Sequence, residues 1–168
     1  FIPTSSQFYY GQLPGEKHIR YVPNVGHGLN GSYILESILS FYMSILNKNS
    51  RPKYNFNFLE NGQIEFIPEN QPTVVKIWWA ENSLARDFRI DVIGKSWKSE
   101  LITINSEGKY VSSIQSPNKG WRAYFLEAEY STSGSIPFVV TSEVRVSPDI
   151  LPFDYIDPIN PKGFLSKN

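Results

Sequence analysis

The chain has 168 residues, 40% of them hydrophobic and 15% aromatic, with 16 basic and 16 acidic side chains. A net charge of zero removes the electrostatic case for nucleic acid, and no apolar run reaches the ~18 residues of a membrane helix, so we expect neither a nucleic-acid partner nor a membrane span. The absence of cysteine excludes disulfides, thiolate catalysis and Cys-based zinc sites. Two histidines without paired carboxylates predict no metal site, and we expect no cofactor.

Residues 1–50 have the pattern of the end of an α/β domain. A short helix is predicted from Ser5 to Tyr10, and an apolar strand from His18 to Val22 ends in a Pro-Asn turn. A second helix is predicted from Ser32 to about Asn47, where apolar residues recur at helical spacing. Since the chain begins at phenylalanine rather than methionine, we expect it to be a C-terminal part of a longer protein.

The second predicted helix has a broad apolar face, wider than a surface helix needs. Eight large side chains form it: Ile34, Ile38, Phe41 and Ile45 on one stripe, with Leu35, Leu39, Tyr42 and Leu46 beside them. One strand and one helix cannot make a stable core alone. We therefore expect this face to pack against sheet from outside the chain, which makes the N-terminal portion of the same protein its first expected partner.

Residues 49–52, Asn-Ser-Arg-Pro, break the helical pattern and predict a domain boundary. Beyond it, short alternating segments separated by Gly, Asn or Ser turns predict an all-β domain over residues 51–149, of the immunoglobulin-like or fibronectin-like sandwich type. A proline-rich extended tail is predicted over residues 150–168. The predicted strands are Tyr54–Leu59, Gln63–Ile67, Thr73–Ala80, Phe88–Ile93, Glu100–Ile104, Tyr110–Gln115, Trp121–Tyr130 and Phe138–Val146.

His27 is the candidate catalytic residue. It lies between Gly26 and Gly28, after the predicted strand and before the long helix. This order, strand, loop with histidine and helix, is the one in which an α/β-hydrolase presents the base of its Ser-Asp-His triad. No Gly-x-Ser-x-Gly motif occurs in the chain, so the nucleophile is not within it. The alternative is a surface histidine whose neighbouring glycines serve only the turns.

Asn30-Gly31-Ser32 is an N-glycosylation sequon, which makes Asn30 a candidate modification site of a secreted protein. The alternative is that Asn30 and Ser32 cap the following helix. Tryptophan is the other ambiguous feature: Trp78, Trp79, Trp97 and Trp121 either pack in the core or offer rings on which a sugar stacks. His18 is predicted to be structural, and the Arg86, Asp87 and Arg89 group is predicted to form ion pairs.

Several segments, in order and over nearly the whole chain, carry a family resemblance. They are residues 5–10, 13–24 and His27, then Ala-Arg-Asp-Phe-Arg at 85–89, Lys-Gly-Trp at 119–121 and residues 148–153. Together they resemble the PhoPQ-activated pathogenicity-related family. The resemblance implies an α/β-hydrolase-like domain followed by a β-rich domain in an exported protein. It also implies that the nucleophile and the acid lie upstream and that His27 stands at the position of the triad base.

The expected fold class is therefore α+β, with the strand-loop-helix end of an α/β-hydrolase-like domain followed by a β-sandwich. The expected function is that of a secreted proliferation-repressing signal, since the family includes a repressor of proliferation, and its partner would be a cell-surface receptor or another secreted protein. One alternative is an active serine hydrolase, an esterase or peptidase, in which upstream Ser and Asp join His27. A further alternative is a carbohydrate-binding β-sandwich.

Overall fold

The computed structural model describes residues 2–132 and 136–153, and it contains helices and antiparallel sheets, as the expected α+β class requires. Most of the predicted tail, from residue 154 onward, lies outside the described residues. Within the described part, no helix is long and apolar enough to cross a membrane.

The N-terminal region consists of two 3-10 turns, an extended segment and one helix. The turns, Pro3–Phe8 and Tyr10–Gln12, replace the predicted helix from Ser5 to Tyr10. A proline at the first position suits a helix start, and Tyr9 N–H then donates to Ser6 O in the tighter 3-10 pattern. After an extended segment and a series of turns, helix α1 spans Ile34–Leu46, close to the predicted bounds.

The predicted strand from His18 to Val22 is wrong as a strand, although the backbone is extended there. It runs beside residues 138–141, where Thr141 N–H donates to Ile19 O at 2.9 Å. The next ladder bond is missing because Tyr21 N–H donates to the Thr141 hydroxyl, at 3.0 Å, instead of to a backbone carbonyl. The segment is therefore attached to the sheet without joining its ladder.

In the described part of the chain, eight strands and one short helix follow α1. Strands β1, β2 and β5 form sheet A in that order, and β4, β3, β6 and β7 form sheet B, in which β8 also pairs with β6. All of these pairings are antiparallel. The elements are β1 Tyr54–Phe58, β2 Ile64–Pro68, β3 Val74–Asn82, α2 Ile90–Ile93, β4 Lys98–Leu101, β5 Tyr110–Val111, β6 Trp121–Tyr130, β7 Phe138–Thr141 and β8 Arg145–Ser147.

Sheet B is covered on both faces, so the molecule has two hydrophobic clusters. Since side chains alternate along a strand, β6 contributes to both. Leu126 and every second residue of β6 on the same side face sheet A. They form the larger cluster with Ile77 of β3 and Phe66 of sheet A. Phe125 and its alternates face the other way, where Phe88 and Tyr21 lie over them. The extended N-terminal segment and the region around α2 are thus held on the outer face of sheet B.

Hydroxyl side chains end two further strands earlier than predicted. Ile64 N–H donates to the Ser112 hydroxyl at 2.7 Å, and β5 stops at Val111 rather than reaching Gln115. Leu126 N–H likewise donates to the Ser142 hydroxyl at 3.0 Å, at the point where the predicted strand Phe138–Val146 divides into β7 and β8. In each case a side-chain oxygen takes the place of a backbone carbonyl, so the regular ladder ends.

The predicted strand Phe88–Ile93 is wrong, because this segment contains the single turn α2. Asp87 Oδ1 accepts a hydrogen bond from Arg89 N–H at 3.1 Å, a local bond that favours a turn over an extended strand. Gly94, with a φ of 64°, then ends the turn and donates to Ile90 O. Within this segment only Phe88 is buried and Val92 is 47% exposed, so the apolar alternation indicated neither a strand nor a continuous buried face.

Gly120 allows β6 to start against the end of β3. Its φ is 76°, and a Cβ built there would lie 2.2 Å from Asn82 O. Only glycine fits this position, since the contact is with backbone.

Helix α1 buries its polar side. Ser40 and Ser44 are its buried residues, and Phe41 contacts Phe138 of β7 with ring centroids 6.2 Å apart. The predicted apolar face is exposed along most of its length: Leu35 is 69% exposed and Ile38 57%. The other exposed members are Leu39, Phe41, Tyr42, Ile45 and Leu46. No sheet within the described residues covers this face, which we call the α1 apolar face.

Candidate functional site

The predicted base, His27, lies in an exposed loop between the extended segment and α1. Leu29 N–H donates to Gly26 O at 3.0 Å and Ser32 N–H to Leu29 O at 3.2 Å, so two consecutive turns shape the loop. The positive φ angles fall on Asn24, Leu29 and Gly31 rather than on Gly26 and Gly28. The glycines beside His27 therefore do not provide positive φ angles.

Both ends of the His27 loop are attached to the rest of the molecule. At its start, the Asn24 side chain donates to Trp97 O at 2.8 Å and accepts from Trp97 N–H at 3.0 Å. At its end, Arg20 Nη1 donates to Tyr33 O at 3.2 Å, one residue before α1 begins. No sequence pattern connects residues 24 and 97, so the first attachment could not be predicted.

Asn30, the predicted glycosylation site, is exposed within the same loop. The alternative that Asn30 and Ser32 cap the helix is wrong, because the cap residue is Tyr33 and no side chain caps it. The Ser32 hydroxyl donates to Leu29 O at 2.6 Å instead. Asn30 as a glycosylation site stays a prediction.

A chain of four side chains joins the extended segment to β1. Arg51 donates two hydrogen bonds to Glu16, at 2.6 and 2.5 Å. His18 Nε2 lies 2.9 Å from Glu16 Oε1, and its Nδ1 lies 2.7 Å from the Tyr54 hydroxyl. Sequence reasoning predicted a structural His18 but identified none of these three partners.

The charge on Glu16 determines which groups donate and which accept in this row of hydrogen bonds. The hydrogen bonds from Arg51, and then from His18, lower the pKa of the Glu16 carboxyl to about 2, so Glu16 only accepts at neutral pH. A neutral His18 must therefore carry its proton on Nε2 and accept the Tyr54 O–H through Nδ1. Burial raises the pKa of Tyr54 and keeps its hydroxyl protonated. Every group has a partner, which agrees with a structural His18.

Charged side chains also collect on the outer face of sheet B, beside the Arg20 that holds the His27 loop. Lys76 Nζ lies 2.8 Å from Glu129 Oε1 and 3.6 Å from Glu127 Oε1. Burial raises the pKa of Glu127 and lowers that of Arg20, whereas the opposite charges nearby act against both shifts. This cluster was missed by sequence reasoning, because its members come from three distant segments.

A cleft of about 870 Å³ lies between α1, the connection to β1 and the ends of β6 and β7. Two buried hydroxyls in its lining, Ser40 Oγ and Tyr130 OH, have no hydrogen-bond partner among the described residues. Among the described residues, the lining contains mainly hydroxyl, amide and aliphatic side chains and no histidine or carboxylate. Elsewhere in the described part of the chain, no three His, Asp or Glu side chains are grouped to hold a metal ion.

The tryptophans contact the protein core from both sides of sheet B. Trp78 and Trp79 face opposite ways, as predicted for neighbours on a strand, and each packs against a different cluster. Trp97 and Trp121 pack against the same cluster as Trp78. Arg89 lies 2.6 Å from Asp87, as predicted, whereas Arg86 pairs outside the predicted group and lies 3.2 Å from Asp149.

Comparison with known proteins gives two matches. The model of the PhoPQ-activated pathogenicity-related protein family matches residues 1–89. The autocrine proliferation repressor protein A of Dictyostelium discoideum is 36% identical over 190 residues, covering 97% of this chain and 38% of that protein. The chain thus spans about two fifths of the length of this curated relative. No solved structure matches.

The family match covers both the His27 loop and α1, and the similarity to the repressor continues through the β region to cover nearly the whole chain. The chain therefore belongs to the PhoPQ-activated pathogenicity-related protein family.

Proposed function

We propose that this chain is the C-terminal portion of a secreted proliferation-repressing signal built on an α/β-hydrolase-like scaffold. The observation that carries the proposal is the 36% identity to a protein named autocrine proliferation repressor, over 97% of the chain. Because the similarity includes the β region, the resemblance is not limited to the loop that bears His27. The partner in this role is a cell-surface receptor or another secreted protein, and the exposed Asn30 is its glycosylation site.

The α1 apolar face supports the scaffold part of the proposal. A monomeric protein rarely leaves a contiguous row of large side chains such as Leu35, Ile38 and Tyr42 in water, so such a face marks a surface that another element covers. In an α/β-hydrolase-like protein the helix after the histidine packs on the central sheet. The occupant we propose is the N-terminal portion of the same protein, with residues 51–149 forming an immunoglobulin-like or fibronectin-like sandwich beside it.

An active serine hydrolase is the second candidate, and the position of His27 favours it. An upstream serine oxygen would attack the acyl carbon of an ester or peptide while His27 removes the serine proton. His27 would then give that proton to the leaving alcohol or amine. Water would then attack the acyl carbon of the acyl-serine while His27 removes a water proton, and His27 would give that proton to the serine oxygen as the carboxylic acid is released. An upstream carboxylate would hold the imidazole in the required tautomer. The exposure of His27 leaves it accessible for these contacts.

The carbohydrate-binding alternative has less support, because all four tryptophans pack against the hydrophobic cluster of one or the other face of sheet B. No observation on the described residues favours a flat indole platform.

One experiment tests both leading candidates. The full-length protein and its His27→Ala variant are purified from the medium of expressing cells, added to growing cells of the source organism, and assayed on activated esters and aminoacyl substrates. A repressing signal requires slower growth with the natural protein, and one that does not depend on His27 requires it with both proteins. A hydrolase requires ester or peptide cleavage by the natural protein, lowered by His27→Ala on the order of 10³-fold or more.

The exposed Lys95→Ala substitution on the β region is the control for handling. Repression by neither protein would overturn the signalling proposal, and its loss in His27→Ala alone would make the chemistry part of the signal. Absence of turnover by the natural protein would remove the hydrolase and leave the scaffold.

A further inference from the structure

Asn24 occupies a backbone conformation that few residues accept. It follows Pro23 at the end of the extended segment, and its φ of 62° lies in the left-handed region. Asparagine is the non-glycine residue best suited to that region, because its short polar side chain finds local partners there. The chain turns at this point and leads after two residues to His27.

The Asn24 side chain forms a two-point contact with one residue of the β region. Its amide nitrogen donates to Trp97 O and its amide oxygen accepts from Trp97 N–H, at 2.8 and 3.0 Å. Both backbone groups of Trp97 are thus satisfied by one side chain. Only a carboxamide offers a neutral donor and acceptor in this spacing, so aspartate keeps one of the two bonds and glycine keeps neither.

Trp97 packs on the hydrophobic core of the β region. Its ring packs on Phe125, which is 1% exposed, with centroids 5.4 Å apart, and on Phe88 at 6.5 Å. Lys98, the next residue, begins β4 and is in register with Trp79 of β3. The Asn24 side chain is therefore bonded to a residue that packs on the hydrophobic cluster of sheet B.

We propose that Asn24 is the positioning residue of the His27 loop, fixing where the imidazole stands relative to the β region. The inference deepens the hydrolase candidate and rests on it for its catalytic meaning: the β region, through Trp97, would hold the base at the place where the upstream serine and acid meet it. Arg20, which donates to Tyr33 O, holds the other end of the same loop.

The test uses the full-length protein with Asn24→Gly and Asn24→Asp. Glycine keeps the left-handed backbone and removes both hydrogen bonds, whereas aspartate keeps the bond to Trp97 N–H. Amide exchange over residues 25–32 and the rate of His27 modification by diethyl pyrocarbonate, followed by mass spectrometry, are measured without any substrate. We expect amide exchange to rise about tenfold in Asn24→Gly, the effect of two lost hydrogen bonds, and less in Asn24→Asp. Since His27 is already exposed, its modification rate should change by a smaller factor.

If the natural protein cleaves esters, kcat should fall about tenfold in Asn24→Gly with KM nearly unchanged, since the base is displaced and the substrate site is not. Asn105→Ala is the matched control: its amide oxygen accepts from Glu107 and Lys109 N–H in a turn between β4 and β5, and its loss should leave residues 25–32 unchanged.

Unchanged exchange and unchanged His27 modification in Asn24→Gly would overturn the inference, whatever happens to activity. Faster exchange in Asn24→Gly, together with no turnover by the natural protein, would support the positioning role of Asn24 and reject the hydrolase. The failure of one proposal can therefore be distinguished from the failure of the other. If Asn24→Gly does not fold, Asn24→Asp decides by the same two rates.

Discussion

Glu16 is the residue whose protonation at low pH is expected to lower the free energy of unfolding. It accepts two hydrogen bonds from Arg51 and one from His18, and together these interactions tie the extended N-terminal segment to the start of β1. The pKa of its carboxyl is about 2 in the folded protein, below its ordinary value of 4.5. The folded state therefore binds fewer protons than the unfolded state between these two values.

We expect the free energy of unfolding to decrease as pH falls from about 5 toward 2, because Glu16 must then be protonated and its interactions with Arg51 and His18 weaken. The contribution is at most about 1 kcal/mol, since the side chain is 46% exposed and solvent screens the pair. Glu16→Gln should remove this part of the pH dependence. Urea unfolding of both proteins from pH 2 to 6 measures it.

The control is Glu100→Gln on the exposed strand β4, which forms no ion pair within the described residues and should keep the natural slope. An identical slope in Glu16→Gln and the natural protein would contradict the assignment. The sequence could not have identified this residue as pH-sensitive, because Arg51 and Tyr54 lie more than 30 positions from their partners.

At the scale of elements, hydroxyl side chains determine where strands end. Ser142 is 1% exposed and Leu126 is fully buried, and the Ser142 hydroxyl accepts from Leu126 N–H at 3.0 Å. Its removal leaves a buried donor without a partner, so Ser142→Ala should lower the free energy of unfolding by about 1–3 kcal/mol. Chemical denaturation of the full-length protein is the measurement. Ser99→Ala, on exposed β4, should change it by less than about 0.5 kcal/mol.

The same bonds explain which elements could be predicted. Long segments with clear periodicity, α1, β3 and β6, are found close to their expected bounds, because apolar residues recur along them at the spacing of a helix or a strand. The errors lie at Thr141, Ser112, Ser142 and Asp87, where a side chain replaces a backbone partner or starts a turn. Alternation of apolar residues shows that a segment is half-buried, but it does not show which group satisfies its backbone.

At the scale of the whole molecule, α1 has its faces reversed relative to an ordinary surface helix. Its serines Ser40 and Ser44 face the β region, and most of its large apolar side chains face water. The sequence predicted the apolar face and its need for a cover, whereas the packing of the polar side on β7 was not visible from periodicity. The His27 loop leads directly into this helix.

If the N-terminal portion of the protein covers this face, the two parts should associate even as separate polypeptides. We expect the upstream part, expressed with an affinity tag, to retain the 168-residue chain when both are made in one cell. Each large side chain that becomes buried contributes on the order of 1.5–3 kcal/mol, so Leu35→Asp should weaken retention at least about tenfold.

Leu84→Asp is the matched control for that experiment. Leu84 is 84% exposed and lies between β3 and α2, outside the α1 apolar face, whereas Leu35 is 69% exposed and lies within it. Equal loss of retention in both variants would mean that added charge or misfolding, and not the lost face, is responsible. Full retention of Leu35→Asp would show that the upstream portion contacts this chain elsewhere, and α1 would then need a different occupant. Loss confined to Leu35→Asp would place the upstream portion on α1. This helix directly follows the loop that contains His27, and the start of that loop is attached to Trp97 through the Asn24 side chain.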